Sequence, residues 1–183
     1  MNKVLILALA VAFSLQADAQ KYFTRTGFVS FFSSTKMEDI KAENNKVASV
    51  LDASTGDVEF TILVKSFVFE KALMQEHFNE NYMESDTYPK STFKGKVENM
   101  SSVKIGTAGT YNVKVSGDLT MHGVTKKVTT DATFTVKDGK LSAASTFYVN
   151  PKDYNIAIPS VVQENISDKI EVKVLLNLDE MKK

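Results

Sequence analysis

The chain contains no cysteine. That excludes disulfides, thiol catalysis, cysteine-ligated zinc and N-terminal lipidation of the lipoprotein type. Histidine is nearly as scarce, with His77 and His122 the two in 183 residues. Two histidines on separate elements do not complete a tetrahedral zinc site, so no metal site is expected. No G-x-S-x-G elbow and no H-E-x-x-H pair occurs, which leaves no recognisable catalytic set. The eight glycines are scattered, so no Gly-rich loop is available to cradle phosphate. An excess of one charge is missing as well. The 22 basic residues balance 22 acidic ones, which gives no footprint for nucleic acid or for an anionic membrane surface. No apolar run reaches the roughly 20 residues that a spanning helix needs. No transmembrane segment is therefore expected in the mature chain.

What is present reads as an ordinary folded domain. Hydrophobic residues make up 43% of the chain and charged residues 24%, and the length suits one domain with a real core. The first twenty residues, MNKVLILALAVAFSLQADAQ, stand apart. Lys3 is a short positive region, Val4 to Leu15 an apolar run, and Ala17-Asp18-Ala19 a small-x-small cleavage pattern. Residues 1–19 are expected to be a cleaved signal peptide, and 20–183 a single exported domain.

Period-two alternation dominates the rest, which is the signature of strands. From Thr110 to Met121, the residues Tyr111, Val113, Val115, Leu119 and Met121 share one face. After His122-Gly123 the pattern resumes as Val124, Val128, Ala132, Phe134 and Val136. A two-residue loop pairs Met121 with Val124, Gly117 with Val128, Val113 with Ala132 and Tyr111 with Phe134. The apolar faces then coincide along the whole hairpin. Further strands are expected over Lys21–Phe32, Val58–Val64, Thr92–Val97, Leu141–Val149 and Ile170–Leu178. Asp138-Gly139 marks a tight turn. One segment differs: Glu70–Ser85 carries Met74, Phe78 and Tyr82 at helical spacing, and Pro89 stops the helix behind it. MEDIKAENNKVASVL, Met37–Leu51, is assigned to no strand.

The fold class expected is mainly all-β: a closed antiparallel barrel of about eight strands with one short helix near residues 70–85. Its inner face mixes large side chains with small ones such as Gly117, Ala132 and Ala143. If the barrel is hollow, Phe78, Tyr82, Phe93, Tyr111, Val113, Val115, Leu119, Ala132, Phe134 and Phe147 are the candidate lining of a space suited to a long apolar ligand. Alternation alone does not separate a hollow barrel from a filled one. His122 is read as a turn residue, because the tight turn demands positive φ. His77 is read as an edge residue of the short helix. No catalytic residue is assigned. An enzyme acting on a lipid-like substrate with either histidine as base, and a structural envelope protein with a filled barrel, stand as alternatives.

Three stretches together resemble the YceI family of exported, lipocalin-like proteins. The first is HFNENYMESDTYPKSTFKGKV, through Phe78, Tyr88, Pro89, Thr92, Phe93 and Gly95. The second is GDLTMHGVTKKV, through Gly117, Leu119, Thr120, His122, Gly123, Val124, Thr125, Lys126 and Val128. The third is FYVNPKDYNIAIP, through Phe147, Val149, Asp153, Tyr154 and Ile156. The resemblance implies a barrel with a long hydrophobic tunnel. It also implies non-enzymatic binding or transport of a polyisoprenoid, such as a quinone or polyprenol, or of another long-chain amphiphile. A periplasmic location and no cofactor beyond such a bound lipid follow from the same likeness. The oligomeric state is left open, a dimer included.

Overall fold

The computed structural model describes residues 20–182. The expected signal peptide, 1–19, lies outside the described residues. Nine strands form one sheet: β1 Lys21–Ser34, β2 Asp39–Asp52, β3 Asp57–Leu63, β4 Val68–Phe69, β5 Lys90–Val97, β6 Gly109–Met121, β7 Val124–Lys137, β8 Lys140–Val149 and β9 Ile170–Glu180. The order is β1-β9-β8-β7-β6-β5-β3-β2-β4, and β1 also pairs with β2. Eight strands therefore close on themselves as an antiparallel meander, and the two-residue β4 hangs on β2. Closure leaves β1 bonded on both sides. Phe31 lies opposite Ala42 of β2 and opposite Val172 of β9.

The β6–β7 hairpin has the expected register. Met121 pairs with Val124, Gly117 with Val128, Val113 with Ala132 and Tyr111 with Phe134. At its turn His122 has φ 50° and Gly123 φ 73°, the left-handed pair that a two-residue hairpin loop requires. Asp138 and Gly139, at φ 51° and 72°, make the same turn between β7 and β8.

β2 is a strand the alternation did not reveal. Its buried residues are Ala42 and Asn44, then Val47, Ser49 and Leu51, so the inward phase switches from even to odd numbers. The ladder with β1 slips at this point, around Gly27 and Val29. An inserted residue moves every later side chain to the other face, which hides the period. Asn44 serves the irregularity. It is fully buried, donates from Nδ2 to Leu63 O at 3.0 Å and accepts from Lys46 N at 2.8 Å.

The helix is shorter than expected. α1 spans Ala72–His77 and passes into a π-helical turn over Phe78–Tyr82. None of its residues is fully buried. It lies across the barrel end with only one face against protein.

Strand direction sorts the connections into two ends. One end carries the tight turns after β2 and β7, together with 98–108. Met100 and Val103 of that segment pack into the main core with Val97, Val113, Val136, Leu141 and Leu178. This end is plugged. The other end carries the β1–β2 turn, the β6–β7 turn and two long connections, 64–89 and 150–169.

Gly117 does not leave space in the barrel, contrary to the reading of it as a small inward residue. It pairs with Gly95, and the Phe93 ring lies over both. A Cβ at Gly95 would come within 2.6 Å of Phe93 Cε1, and one at Gly117 within 2.7 Å of Phe93 Cζ. The Gly117 Cβ would also strike the Lys94 carbonyl, which no rotamer change relieves. Gly117→Ala and Gly95→Ala are each expected to cost about 1–3 kcal/mol, the usual scale of overpacking. Urea unfolding of the two variants measures it.

Candidate functional site

The barrel is hollow. A cavity of about 550 Å³ runs inside it, walled almost entirely by apolar side chains from β1, β2, β3 and β5–β9. Its volume falls within the range of small-molecule sites, about 300–1,000 Å³. Eight of the ten candidate residues lie on its wall: Phe78, Tyr82, Phe93, Val115, Leu119, Ala132, Phe134 and Phe147. Tyr111 and Val113 do not. They sit toward the plugged end, where Val113 is buried in the main core. The Tyr111 hydroxyl is turned to the plug itself, 2.9 Å from Thr107 O and 3.2 Å from Lys104 O. Alternation gave both residues the inward face. It carried no information on how far along the axis the barrel is filled.

β2 supplies wall residues that the sequence reading lacked, among them Val47, Ser49 and Leu51. The phase switch at the bulge concealed them. The 150–169 connection supplies Ile156, Ile158, Val162 and Asn165, from a stretch without a repeating pattern.

The mouth lies where wall residues reach solvent. Lys71, Leu73 and His77 line the cavity and are exposed, as expected where α1 crosses the barrel end. An aromatic cluster holds α1 there. Phe78 stacks on Phe31 with ring centroids 5.4 Å apart, and meets Phe67 at 5.6 Å and Phe69 at 5.0 Å. Such pairs add to simple burial. At the same rim, Glu38 in the β1–β2 turn accepts from Asn165 Nδ2 at 3.1 Å and lies 3.4 Å from Lys71 Nζ. One carboxylate thus bridges both long connections.

A second polar junction forms at the same end. The His122 side chain is 9% exposed. Its Nδ1 donates to Tyr154 O at 3.1 Å, and its Nε2 lies 2.6 Å from Glu84 Oε2. The ring also packs against Tyr88, centroids 4.6 Å apart. Gly123 is held small by the same tyrosine, since a Cβ there would be 2.7 Å from Tyr88 Cε1. His122 is thus the turn residue expected, with a further structural task, and it is not part of the cavity wall. Burial pushes the Tyr82 phenol up. It pushes Tyr154 up as well, with Asp153 adding to the effect. Both rings face their surroundings as neutral groups. Among the described residues, no three or more His, Asp or Glu side chains cluster as metal ligands. No helix there is long and apolar enough to cross a membrane.

An eight-stranded closed meander with an apolar interior and one occluded, one open end is a lipocalin-like barrel. The chain belongs to the YceI-like family, whose model matches residues 14–178. Among solved structures, it is similar to a polyisoprenoid-binding domain from Saccharophagus degradans. The TM-score is 0.77 at 17% identity, over 88% of this chain and 98% of that one. Burkholderia cenocepacia BcnA gives a TM-score of 0.69 at 17% identity, covering 84% and 96% of the two chains. The Campylobacter jejuni YceI protein gives 0.62 at 21% identity, over 82% and 90%. Among curated proteins, no sequence matches the chain.

His122→Asn isolates the junction, because asparagine tolerates the left-handed backbone that the turn needs. The variant keeps the turn and loses the ring's partners. It is expected to be less stable by about 1–3 kcal/mol, the scale of leaving a buried hydrogen-bonding group without its partner. Denaturant midpoints with an unchanged m-value would register it as lost stability.

Proposed function

We propose that this protein is an exported, periplasmic carrier that holds a polyisoprenoid or similar long-chain amphiphile inside the barrel without transforming it. The observation that carries the reading is the cavity: about 550 Å³, enclosed by strands, and apolar along nearly all its wall. Apolar surface taken from water contributes roughly 25 cal/mol per Å². A long hydrocarbon is therefore held by area alone, with few polar contacts. The structural likeness to a polyisoprenoid-binding domain supports the same cargo. The functional unit is read as residues 20–183 after removal of 1–19.

The histidines support binding over catalysis. His122 stands outside the cavity wall with both ring nitrogens engaged. His77 lies on the rim, in solvent. Neither faces a buried substrate together with a second catalytic group.

Ala143 projects into the cavity from β8. Ala143→Phe should fill the cavity while the strand ladder stays intact. Native mass spectrometry of the wild-type protein incubated with a polyprenol or an isoprenoid quinone is expected to show a one-to-one lipid adduct. Ala143→Phe should weaken it about tenfold or more, for which a loss of about 1.4 kcal/mol suffices. A wild-type protein that takes up no such lipid would sink the proposal.

A further inference from the structure

Among the described residues, two buried side-chain polar atoms have no hydrogen-bond partner, Ser49 Oγ and Asn79 Oδ1. Asn79 borders a polar surface groove with Glu76 and Glu80. Ser49 is different. It is 3% exposed and lines the apolar cavity. Val47 and Leu51 flank it on the inner face of β2, and both are fully buried. Phe60 lies opposite on β3. An unpaired buried hydroxyl carries a desolvation cost that nothing here offsets, and such a group calls for a specific explanation.

Some other hydroxyls of the cavity have partners. Thr130 Oγ1 lies 3.1 Å from Ser145 Oγ, Ser145 donates to Asp131 O at 2.8 Å, and Ser33 Oγ accepts from Ser167 N at 2.9 Å. Ser91, Thr92 and Tyr82 also line the cavity, but their elements place them at its open end, in the 64–89 connection and the first residues of β5, and their hydroxyls are not enclosed as Ser49 Oγ is. At the mouth, Glu38 is engaged by Lys71 and Asn165. Among the described residues, Ser49 is thus the cavity hydroxyl that is both enclosed and without a partner. From Glu38, just before β2, to Ser49 the path along the strand is roughly 36 Å, at about 3.3 Å per residue, and it leads toward the plugged end. Oγ is itself enclosed in the empty protein, so recognition requires that one of the three staggered χ1 positions of serine carry it to the cavity that the residue lines.

We propose that Ser49 is the recognition point for an uncharged oxygen at the leading end of the cargo, so that an isoprenoid lipid enters head first. The inference rests on the lipid-binding reading above and adds orientation and head-group class to it. A serine hydroxyl both donates and accepts. It matches a polyprenol hydroxyl and a quinone carbonyl equally. A phosphorylated head is disfavoured, because its charge would be stranded among Val47, Leu51 and Phe60 with no cation beside it.

The test titrates the purified, delipidated protein with a polyprenol, the polyprenyl phosphate of the same length, and squalene. The polyprenol should bind tightest. Ser49→Ala should weaken it about fivefold, the equivalent of one hydrogen bond, and leave squalene unchanged. Without ligand, Ser49→Ala should melt at the wild-type temperature or above it, since an unpaired hydroxyl contributes nothing to the fold. A lower melting temperature would show that Ser49 is a structural donor and overturn the proposal. So would an unaltered polyprenol affinity in Ser49→Ala, or a preference for the phosphate. Uptake of squalene and polyprenol alike, insensitive to Ser49→Ala, overturns head-first entry and leaves the carrier reading intact. Uptake of no probe overturns both.

Discussion

The structure depends on the double pairing of β1. Bonded to β2 along one edge and to β9 along the other, it turns a meander into a tube. Without that closure the chain would present two long strand edges, a standing risk of intermolecular pairing. With closure, the strands bond to one another around the tube, and that bonding does not require a filled interior. The core can then be concentrated at one end, where 98–108 packs against Val113, Val136 and Leu178. A cavity is tolerated at the other. Stability and binding capacity are drawn from different lengths of the same strands.

The open end needs its own organisation, because its two long connections consist of short helical turns and loops with no ladder beyond the two residues of β4. Two side chains from tight turns provide it. Glu38 reaches Lys71 and Asn165; His122 reaches Glu84 and Tyr154. Each joins the 64–89 connection to the 150–169 connection. The second junction also brings together residues from all three stretches that carry the family resemblance. Tyr88 belongs to the first stretch, His122 and Gly123 to the second, Tyr154 to the third, and the structure brings them to one point. The turn that carries His122 is also a fastening for loops.

The hairpin was fully legible in the sequence, because a two-residue loop and two matched alternations leave one register. The closed barrel was legible from the number of such strands. Three features were not, each for a physical reason. β2 lost its alternation to a bulge that Asn44 stabilises from within. The role of Gly117 depends on Phe93, two residues from Gly95 on the neighbouring strand, and no periodicity reports a ring lying over two glycines. The filling of the barrel along its axis is decided by 98–108, whose packing leaves Tyr111 and Val113 outside the cavity although their alternation is faultless. Period two tells which way a side chain points. It does not tell what the side chain meets there.

That distinction also bears on selectivity. A wall of Phe, Val, Leu and Ala is sensitive to the volume and area of a cargo and nearly blind to its identity, because apolar burial is non-directional. Discrimination between lipids of equal length must come from polar groups, and an enclosed apolar wall makes each of them count. Hydroxyls already paired with the backbone, such as Ser145, read nothing. A hydroxyl without a partner is the exception, since its cost in the empty protein is relieved only by cargo that brings the missing atom. In a barrel closed by its own ladder, such a group is tolerated because the ladder, not the interior, holds the fold.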